Sequence, residues 1–199
     1  MNPDEIHQEW AERSGEYSPT YYAYRGPDEA SELIRDALDS RAGPEPSVLE
    51  LGCSSGRHLS FLYEHGYTDL AGIEVNGEAL SVMGENYPEL AAAGTFHLDT
   101  IENAIREFED DAFDAVFSVE TLQHIHPDNE WVFDEIARIT SGPLVTVENE
   151  GEDGDDVNYV NDEFPLYYRD WRRVFAERGF READSKRLKR DTFRLFRPE

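Results

Sequence analysis

The fold of this chain is decided by the stretch Val48-Leu49-Glu50-Leu51-Gly52-Cys53-Ser54-Ser55-Gly56-Arg57-His58-Leu59. Its first four residues are typical of a β-strand, the next five are small, and helical spacing of apolar residues begins at Leu59. A strand that turns through glycine-rich backbone onto a helix N-terminus brings bare peptide N–H groups close to a ligand. The stretch therefore predicts a nucleotide site at the end of a strand.

Two common nucleotide motifs do not fit this turn. No Gly-Lys-Ser/Thr sequence closes it, which excludes a P-loop, and the third glycine of the dinucleotide fingerprint G-x-G-x-x-G is missing. What remains is E-x-G-x-x-x-G, from Glu50 to Gly56, with an acid just inside the strand. An NAD(P)-dependent oxidoreductase stays an alternative, although the missing glycine and Glu50 count against it.

Apolar runs alternate with amphipathic segments along most of the chain, which predicts a doubly wound α/β fold. The predicted strands are 47–51, 69–75, 94–98, 113–119, 144–148, 180–188 and 192–196. The predicted helices are 28–40, 57–65, 77–87, 100–109, 128–140 and 167–178. We expect the first five strands to be parallel and the last two to form an antiparallel hairpin at the sheet edge.

Two further acids follow strand ends. Glu74 ends the second predicted strand, 18 residues after Gly56, at the spacing at which a carboxylate binds the ribose hydroxyls of a cofactor. Asp99 ends the third predicted strand in the same way. Each has a structural alternative: Glu74 as one more exposed acid, and Asp99 as the N-cap of a helix beginning at Thr100.

Together with residues 114–125, these features resemble the class I S-adenosylmethionine-dependent methyltransferases. The resemblance covers residues 47–148 in the order of that family: the glycine-rich turn, two strand-end acids and an L-x-H-I ending at residues 122–125. It implies a Rossmann-like, seven-stranded, mostly parallel sheet with one antiparallel edge strand. The Asn/Asp-Pro-Pro-aromatic tetrapeptide of adenine and glutamine amide N-methyltransferases is missing, so the resemblance implies a small-molecule acceptor.

The resemblance also implies a set of residues that bind S-adenosylmethionine. They are Glu50, Gly52, Cys53, Ser54, Gly56, Glu74, Val75, Asp99, Thr100, Ser118 and Val119. Glu74 would accept from the ribose hydroxyls and Asp99 from the adenine amino group, with Ile101 over the adenine face. Residues 118–121 would form the floor between cofactor and acceptor.

The reaction that the resemblance implies is in-line methyl transfer. The cofactor supplies the electrophile, so the protein must align the acceptor and exclude water. A base is needed for a hydroxyl or a protonated amine, and His124 is our candidate, with His126 second, because histidine titrates near neutrality. The alternative is a structural histidine that caps the short turn before Pro127. No metal site is predicted, because the two histidines lack a third ligand.

Residues 1–43 are predicted to form an N-terminal arm and helix, a candidate lid over a core at residues 44–199. The arm is rich in tyrosine, and Arg25 is a candidate partner for the methionine carboxylate of the cofactor. Packing of the arm on the sheet edge is the alternative. A cofactor-binding protein without turnover is the remaining functional alternative.

The chain is strongly acidic, with 44 acidic against 18 basic residues and a net charge of −26. Such a chain repels itself at low salt, whereas molar salt shortens the screening length to about 3 Å. The spread of acids predicts a protein from a halophile, and an acidic protein that binds a basic partner is the alternative. The negative field makes nucleic acid an unlikely partner.

Residues 169–199 have the opposite charge balance, with 11 basic and 6 acidic side chains. They would either pair with acids of the same domain or form a basic rim for an anionic substrate. No run approaches the roughly 18 apolar residues of a membrane span, and Met1 to Trp10 lack a signal-peptide pattern. We therefore expect a cytoplasmic protein without a membrane partner. Cys53 is the single cysteine, so no disulfide forms within the chain.

Overall fold

The computed structural model describes residues 1–39, 45–151, 157–160 and 164–199. Its strands are β1 (Ser47–Leu51), β2 (Asp69–Glu74), β3 (Thr95–Leu98), β4 (Ala115–Val119), β5 (Leu144–Glu148), β6 (Val157–Val160), β7 (Phe164–Tyr167), β8 (Phe180–Arg187) and β9 (Thr192–Pro198). Seven of them form one sheet in the order β3–β2–β1–β4–β5–β9–β8. β1 to β5 are parallel, and β9 runs antiparallel to both of its neighbours.

This sheet confirms the predicted fold class, because all seven predicted strands are present. The hairpin formed by β8 and β9 lies at the sheet edge, as expected. The reversed strand β9 lies one place in from that edge, since it pairs with β5 on one side and with β8 on the other.

The helices are α1 (Pro3–Ala11), α2 (Pro19–Arg25), α3 (Glu29–Asp39), α4 (Arg57–Glu64), α5 (Gly77–Asn86), α6 (Pro88–Ala93), α7 (Ile101–Ala104), α8 (Trp131–Ile139) and α9 (Trp171–Ala176). Short 3₁₀ turns follow at Ile105–Glu107, Leu122–His124 and Pro127–Asn129. The predicted boundary at residues 43 and 44 and most of the acidic segment 151–157 lie outside the described residues.

The N-terminal arm contains two helices that the sequence pattern did not predict. Asn2 and Glu5 form a capping box at the start of α1, and the Ser18 side chain accepts from the Tyr21 N–H at the start of α2. The helix predicted at 77–87 ends before Pro88, as α5 does, and Pro88 then begins α6, because proline lacks only an N–H that the first helical turn leaves unpaired.

The predicted helix at 167–178 is shorter in the structure. The Asp170 side chain accepts from the Arg173 N–H and starts α9 at Trp171. The residues before it form β7, which pairs with β6 as a separate antiparallel ribbon. The pattern missed this ribbon because two four-residue strands carry little periodicity.

The central strands β1, β4 and β5 are buried on both faces, as is typical of parallel sheets. Successive side chains of β1 point to opposite faces, so that Val48 packs with α3 and α4 while Leu49 packs with the layer of α8 and α9. Phe133 and Trp171 anchor that second layer, with ring centroids 5.4 Å apart. Polar groups are therefore concentrated at the strand ends.

The basic C-terminal segment pairs with acids of the same domain, which confirms that alternative. The pairs are Arg169–Glu130, Arg178–Asp134, Lys186–Glu29, Arg194–Glu150 and Arg194–Glu182. In the part of the chain that the structure describes, no helix is long and apolar enough to cross a membrane.

Candidate active site

A cavity opens at the carboxyl ends of β1 to β4, with about 1040 Å³ of empty space that is partly continuous with solvent. Ligands of α/β sheets bind where the strand order reverses, which here is between β1 and β4. The turn after β1, the ends of β2 and β3 and the turn after β4 form its walls, and α1 and α2 close the remaining side.

The structure brings most of the predicted site residues together around this cavity. Those lining it are Glu50, Gly52, Cys53, Ser54, Glu74, Val75, Asp99, Thr100, Val119 and His124. Gly56, Ser118 and Arg25 do not line it.

Gly52 makes a close approach to Thr121, in the turn after β4. Its φ of +71° favours glycine, and a Cβ at this position would lie 2.5 Å from Thr121 Cγ2. The turns after β1 and β4 are therefore packed directly against each other. Gly56 also has a positive φ, +79°, but it caps α4 and packs against Met83 of α5, which is a structural role.

Glu74 is half-buried at the end of β2 and holds the turn. Its two oxygens accept from the Ser54 N–H (2.7 Å) and the Asn76 N–H (2.8 Å). Burial raises the pKa of Glu74, although these hydrogen bonds favour the charged form and lower it. Each carboxylate oxygen can accept a second hydrogen bond, so the side chain still fits a pair of ribose hydroxyls. The alternative of a merely exposed acid is wrong.

Asp99 lies at the exposed edge of the cavity. Its Oδ1 accepts from the Thr100 N–H (2.7 Å) and from Asn103 Nδ2 (3.0 Å). The N-cap of α7 is Thr100, whose hydroxyl accepts from the Asn103 N–H, so the capping role considered for Asp99 is wrong. Ile101, beside it in the cavity wall, is 8% exposed.

Two buried side chains of the wall have a polar atom without a hydrogen-bond partner among the described residues: Glu50 Oε2 and His58 Nε2. Burial raises the pKa of Glu50 well above its usual value and lowers that of His58 to about 3. His58 Nδ1 is bonded to Ser31 Oγ at 2.8 Å. Buried polar atoms without partners are rare, so this wall fits a ligand that carries polar groups. The sequence pattern did not place His58 in the site.

Two predicted cofactor contacts lie elsewhere. Ser118 is fully buried and donates to Glu148 Oε1 at 2.6 Å, beneath the turn after β4. The Arg25 guanidinium lies 5.7 Å from the Tyr21 ring centroid and outside the cavity lining. The lining instead contains Arg57, which pairs with Asp28 at 2.5 Å.

His124 is held in one tautomer. Its Nδ1 lies 3.1 Å from the Pro165 carbonyl, which can only accept, so Nδ1 carries the proton and Nε2 carries a lone pair. Burial lowers its pKa to about 4, and the ring is therefore neutral at pH 7. The structural role before Pro127 belongs to His126, whose Nδ1 accepts from the Asp128 N–H.

Helix α1 docks over the cavity. Its Ile6 is 2% exposed, and His7 Nε2 bonds Glu102 Oε1 at 3.0 Å. Asn76 Nδ2 donates to the Trp10 carbonyl, and the Trp10 ring meets His124 edge-on at 4.8 Å. Across the described ranges, no three His, Cys, Asp or Glu side chains are grouped as metal ligands.

A family model described as "Methyltransferase domain" matches residues 48–141. No curated protein matches the sequence. Among solved structures, geranyl diphosphate C-methyltransferase from Streptomyces coelicolor A3(2), with Mg²⁺, geranyl diphosphate and S-adenosyl-L-homocysteine, has a TM-score of 0.73 at 14% identity and covers 100% of this chain and 98% of its own.

Two further structures are similar at comparable identity. The 1,6-didemethyltoxoflavin-N1-methyltransferase of Burkholderia thailandensis has a TM-score of 0.69 at 15% identity, covering 85% of this chain and 77% of its own. Magnesium protoporphyrin IX methyltransferase of Synechocystis PCC 6803, with bound SAM, has a TM-score of 0.65 at 13% identity, covering 98% of this chain and 90% of its own. The fold is that of the class I methyltransferases, and the family match supports S-adenosylmethionine as the cofactor.

Proposed function

We propose that this protein transfers a methyl group from S-adenosylmethionine to a small-molecule acceptor. The observation that carries this proposal is that Glu74, Asp99 and the turns after β1 and β4 surround one cavity within a segment matched by a methyltransferase family. The bound cofactor supplies an electrophilic methyl group. The family match counts against the NAD(P)-dependent oxidoreductase.

The chain's own residues bind and orient the cofactor. Glu74 accepts from the ribose hydroxyls with the lone pairs left free by its two backbone bonds, and Asp99 accepts from the adenine amino group. Gly52 lets the turn after β1 pack directly against Thr121 in the turn after β4, so that both turns form the cavity wall. Glu50, whose Oε2 has no hydrogen-bond partner among the described residues, is also one of the cofactor-binding residues in this proposal.

His124 accepts the proton of the acceptor in this proposal. Its Nε2 lone pair is available because Nδ1 is tied to Pro165. A pKa of about 4 makes it a weak base, so it receives the proton as the bond to carbon forms rather than ionising the acceptor beforehand. Trp10 above the ring excludes water from this step.

The acceptor is proposed to be a small molecule because the side of the cavity assigned to it is lined by the rings of Trp10, Tyr17 and Tyr22. Residues 1–43 act as the lid over the core at 44–199. The excess of acidic residues supports the proposal that the protein functions in the cytoplasm of a halophile, where salt screens the charge.

Ligand binding tests the proposal. S-adenosyl-L-homocysteine should stabilise the fold by about 2.7 kcal/mol at a hundredfold excess over Kd, measured by thermal unfolding and titration calorimetry in molar KCl. A shift with NADH and none with S-adenosyl-L-homocysteine would overturn it. Turnover is then tested by release of S-adenosyl-L-homocysteine from S-adenosylmethionine with pooled small-molecule acceptors. Binding without any release favours the non-catalytic alternative.

A further inference from the structure

Glu148, at the carboxyl end of β5, is a fully buried carboxylate that faces the neighbouring strand and its turn. Its Oε1 accepts from Ser118 Oγ (2.6 Å), the Leu122 N–H (3.1 Å) and the Thr121 N–H (3.3 Å). Its Oε2 accepts from the Gln123 N–H at 3.3 Å. One side chain thus pairs three consecutive backbone donors that no strand or helix satisfies.

The turn held in this way forms the cavity wall. Glu120 has a φ of +50°, which is unfavourable for a residue with a Cβ, and its N–H bonds the Val147 carbonyl at 2.8 Å. Thr121 then packs against Gly52, and the following 3₁₀ turn ends at His124. A strained backbone conformation persists only where surrounding contacts fix it, and Glu148 fixes the three residues that directly follow Glu120.

We propose that Glu148 is a positioning residue, whose carboxylate fixes the turn at residues 119–124 and thereby places Thr121 and His124 around the bound cofactor and acceptor. The proposal rests on the proposed function for what the cavity binds. The part of the proposal that says Glu148 keeps the turn ordered does not depend on the proposed function.

Two charged groups act on Glu148 itself, and a third, Glu120, belongs to its turn. Arg169, between β7 and α9, interacts favourably with Glu148, whereas Asp191, in the β8–β9 turn, repels it. Asp191 also bonds Glu120, and burial, together with that neighbour, raises the pKa of Asp191 to about 8.

Burial raises the pKa of Glu148 itself to about 7, although the bond from Ser118 and the three N–H groups oppose the shift. Because burial raises the pKa of Glu148 above its ordinary value, the ordered site binds the proton more tightly than a solvated carboxyl does, so protonation favours order. We therefore expect the turn to lose order as the pH rises through about 7.

The test compares the wild-type protein with Glu148→Gln. The matched control is Thr146→Val, an isosteric change at a fully buried position of the same strand that bonds none of the turn. Two readouts are used in molar KCl: the Kd of S-adenosyl-L-homocysteine by calorimetry from pH 5.5 to 8.5, and amide hydrogen exchange at residues 121–123 without ligand.

At pH 8 we expect Glu148→Gln to bind about tenfold more weakly, because one charged acceptor is lost, and to exchange these amides faster. Wild-type affinity should fall as the pH rises through about 7, and the part of this change due to Glu148 should vanish in Glu148→Gln. His7 and Asp191 titrate in every variant, so only the difference between variants is assigned to Glu148. Thr146→Val should follow the wild type.

The outcomes separate the two proposals. A wild-type protein that does not bind S-adenosyl-L-homocysteine overturns the proposed function, while the exchange data still test the positioning role. Unchanged exchange and an unchanged pH profile in Glu148→Gln overturn the positioning role. If Glu148→Gln does not fold, Ser118→Ala, which removes one of the four bonds, must show the same effects at smaller size, and wild-type behaviour of Ser118→Ala then counts against the proposal.

Discussion

At the scale of single residues, Glu74 combines two tasks. Its carboxylate ties the turn after β1 to the start of α5, and it also lines the cavity. A structural acid of this kind keeps backbone donors paired, whereas a ligand-binding acid needs free lone pairs. Glu74 has capacity for both because each of its oxygens makes one backbone bond.

Replacing Glu74 with Ala should therefore abolish binding of S-adenosyl-L-homocysteine. Loss of two hydrogen bonds to a charged acceptor weakens binding by about a hundredfold or more. Calorimetry measures this, with Glu78→Ala as control, since Glu78 is an exposed acid of α5 outside the cavity lining. Equal affinity in the Glu74 variant and the wild type would remove the ribose-binding role.

Gly52 gives a second test at this scale. Gly52→Ala combines a positive φ with a clash against Thr121, so we expect a loss of about 2 kcal/mol in the free energy of unfolding, together with weaker cofactor binding. The control is Gly66→Ala, where φ is +94° and nothing lies within 4 Å of the new Cβ. Chemical denaturation of both variants separates strain from clash, and equal losses would show that the contact with Thr121 is unimportant.

At the scale of elements, the contacts of α1 decide whether it works as a lid. The helix is anchored by the His7–Glu102 pair and by Asn76 Nδ2, which donates to the Trp10 carbonyl within the helix and to the Arg13 carbonyl just after it. The hydrogen bond to Glu102 raises the pKa of His7. Burial is the largest single influence on Glu102 and opposes its ionisation, but the bond from His7, the charge of His7 and the bond from Asn129 together lower the pKa of Glu102.

The anchoring of α1 should therefore depend on pH. Because the pKa of His7 is raised in the folded state, its contribution is complete below about 6.5 and is lost as the pH rises through the raised value. The Glu102 contribution is present above about 4.5 and is lost as the pH falls further. Amide exchange in α1 should be slowest between these limits.

The matched variant for this prediction is His7→Gln. It should exchange faster below pH 6.5, at a cost of about 1 kcal/mol in local stability, and should show no alkaline loss of protection. Protection of α1 that does not change from pH 6 to pH 9 in the wild type would contradict the ion-pair anchor.

At the scale of the whole molecule, charge sets the conditions under which the fold is stable. The C-terminal arginines neutralise nearby acids, but the chain retains a net charge of −26. We expect cooperative unfolding, followed by circular dichroism, to be lost below about 1 M KCl, because unscreened acids repel one another. Equal stability in dilute buffer would contradict halophilic adaptation.

Most of the fold could be predicted from the sequence because its central strands are buried on both faces and its helices on one. Those environments impose apolar runs and helical periodicity that are visible locally. The β6–β7 ribbon and the arm helices α1 and α2 were missed, since short elements depend on caps and distant contacts more than on periodicity.

The sequence by itself determined the sheet, the glycine-rich turn and the acids Glu74 and Asp99 at strand ends, because all parallel strands deliver their carboxyl ends to one edge. Only the tertiary structure decided which side chains face the cavity. Ser118 bonds Glu148, 30 residues away, and Arg25 lies outside, while His58 lies in the wall. Such choices depend on contacts between residues far apart in the chain, and local patterns do not encode them.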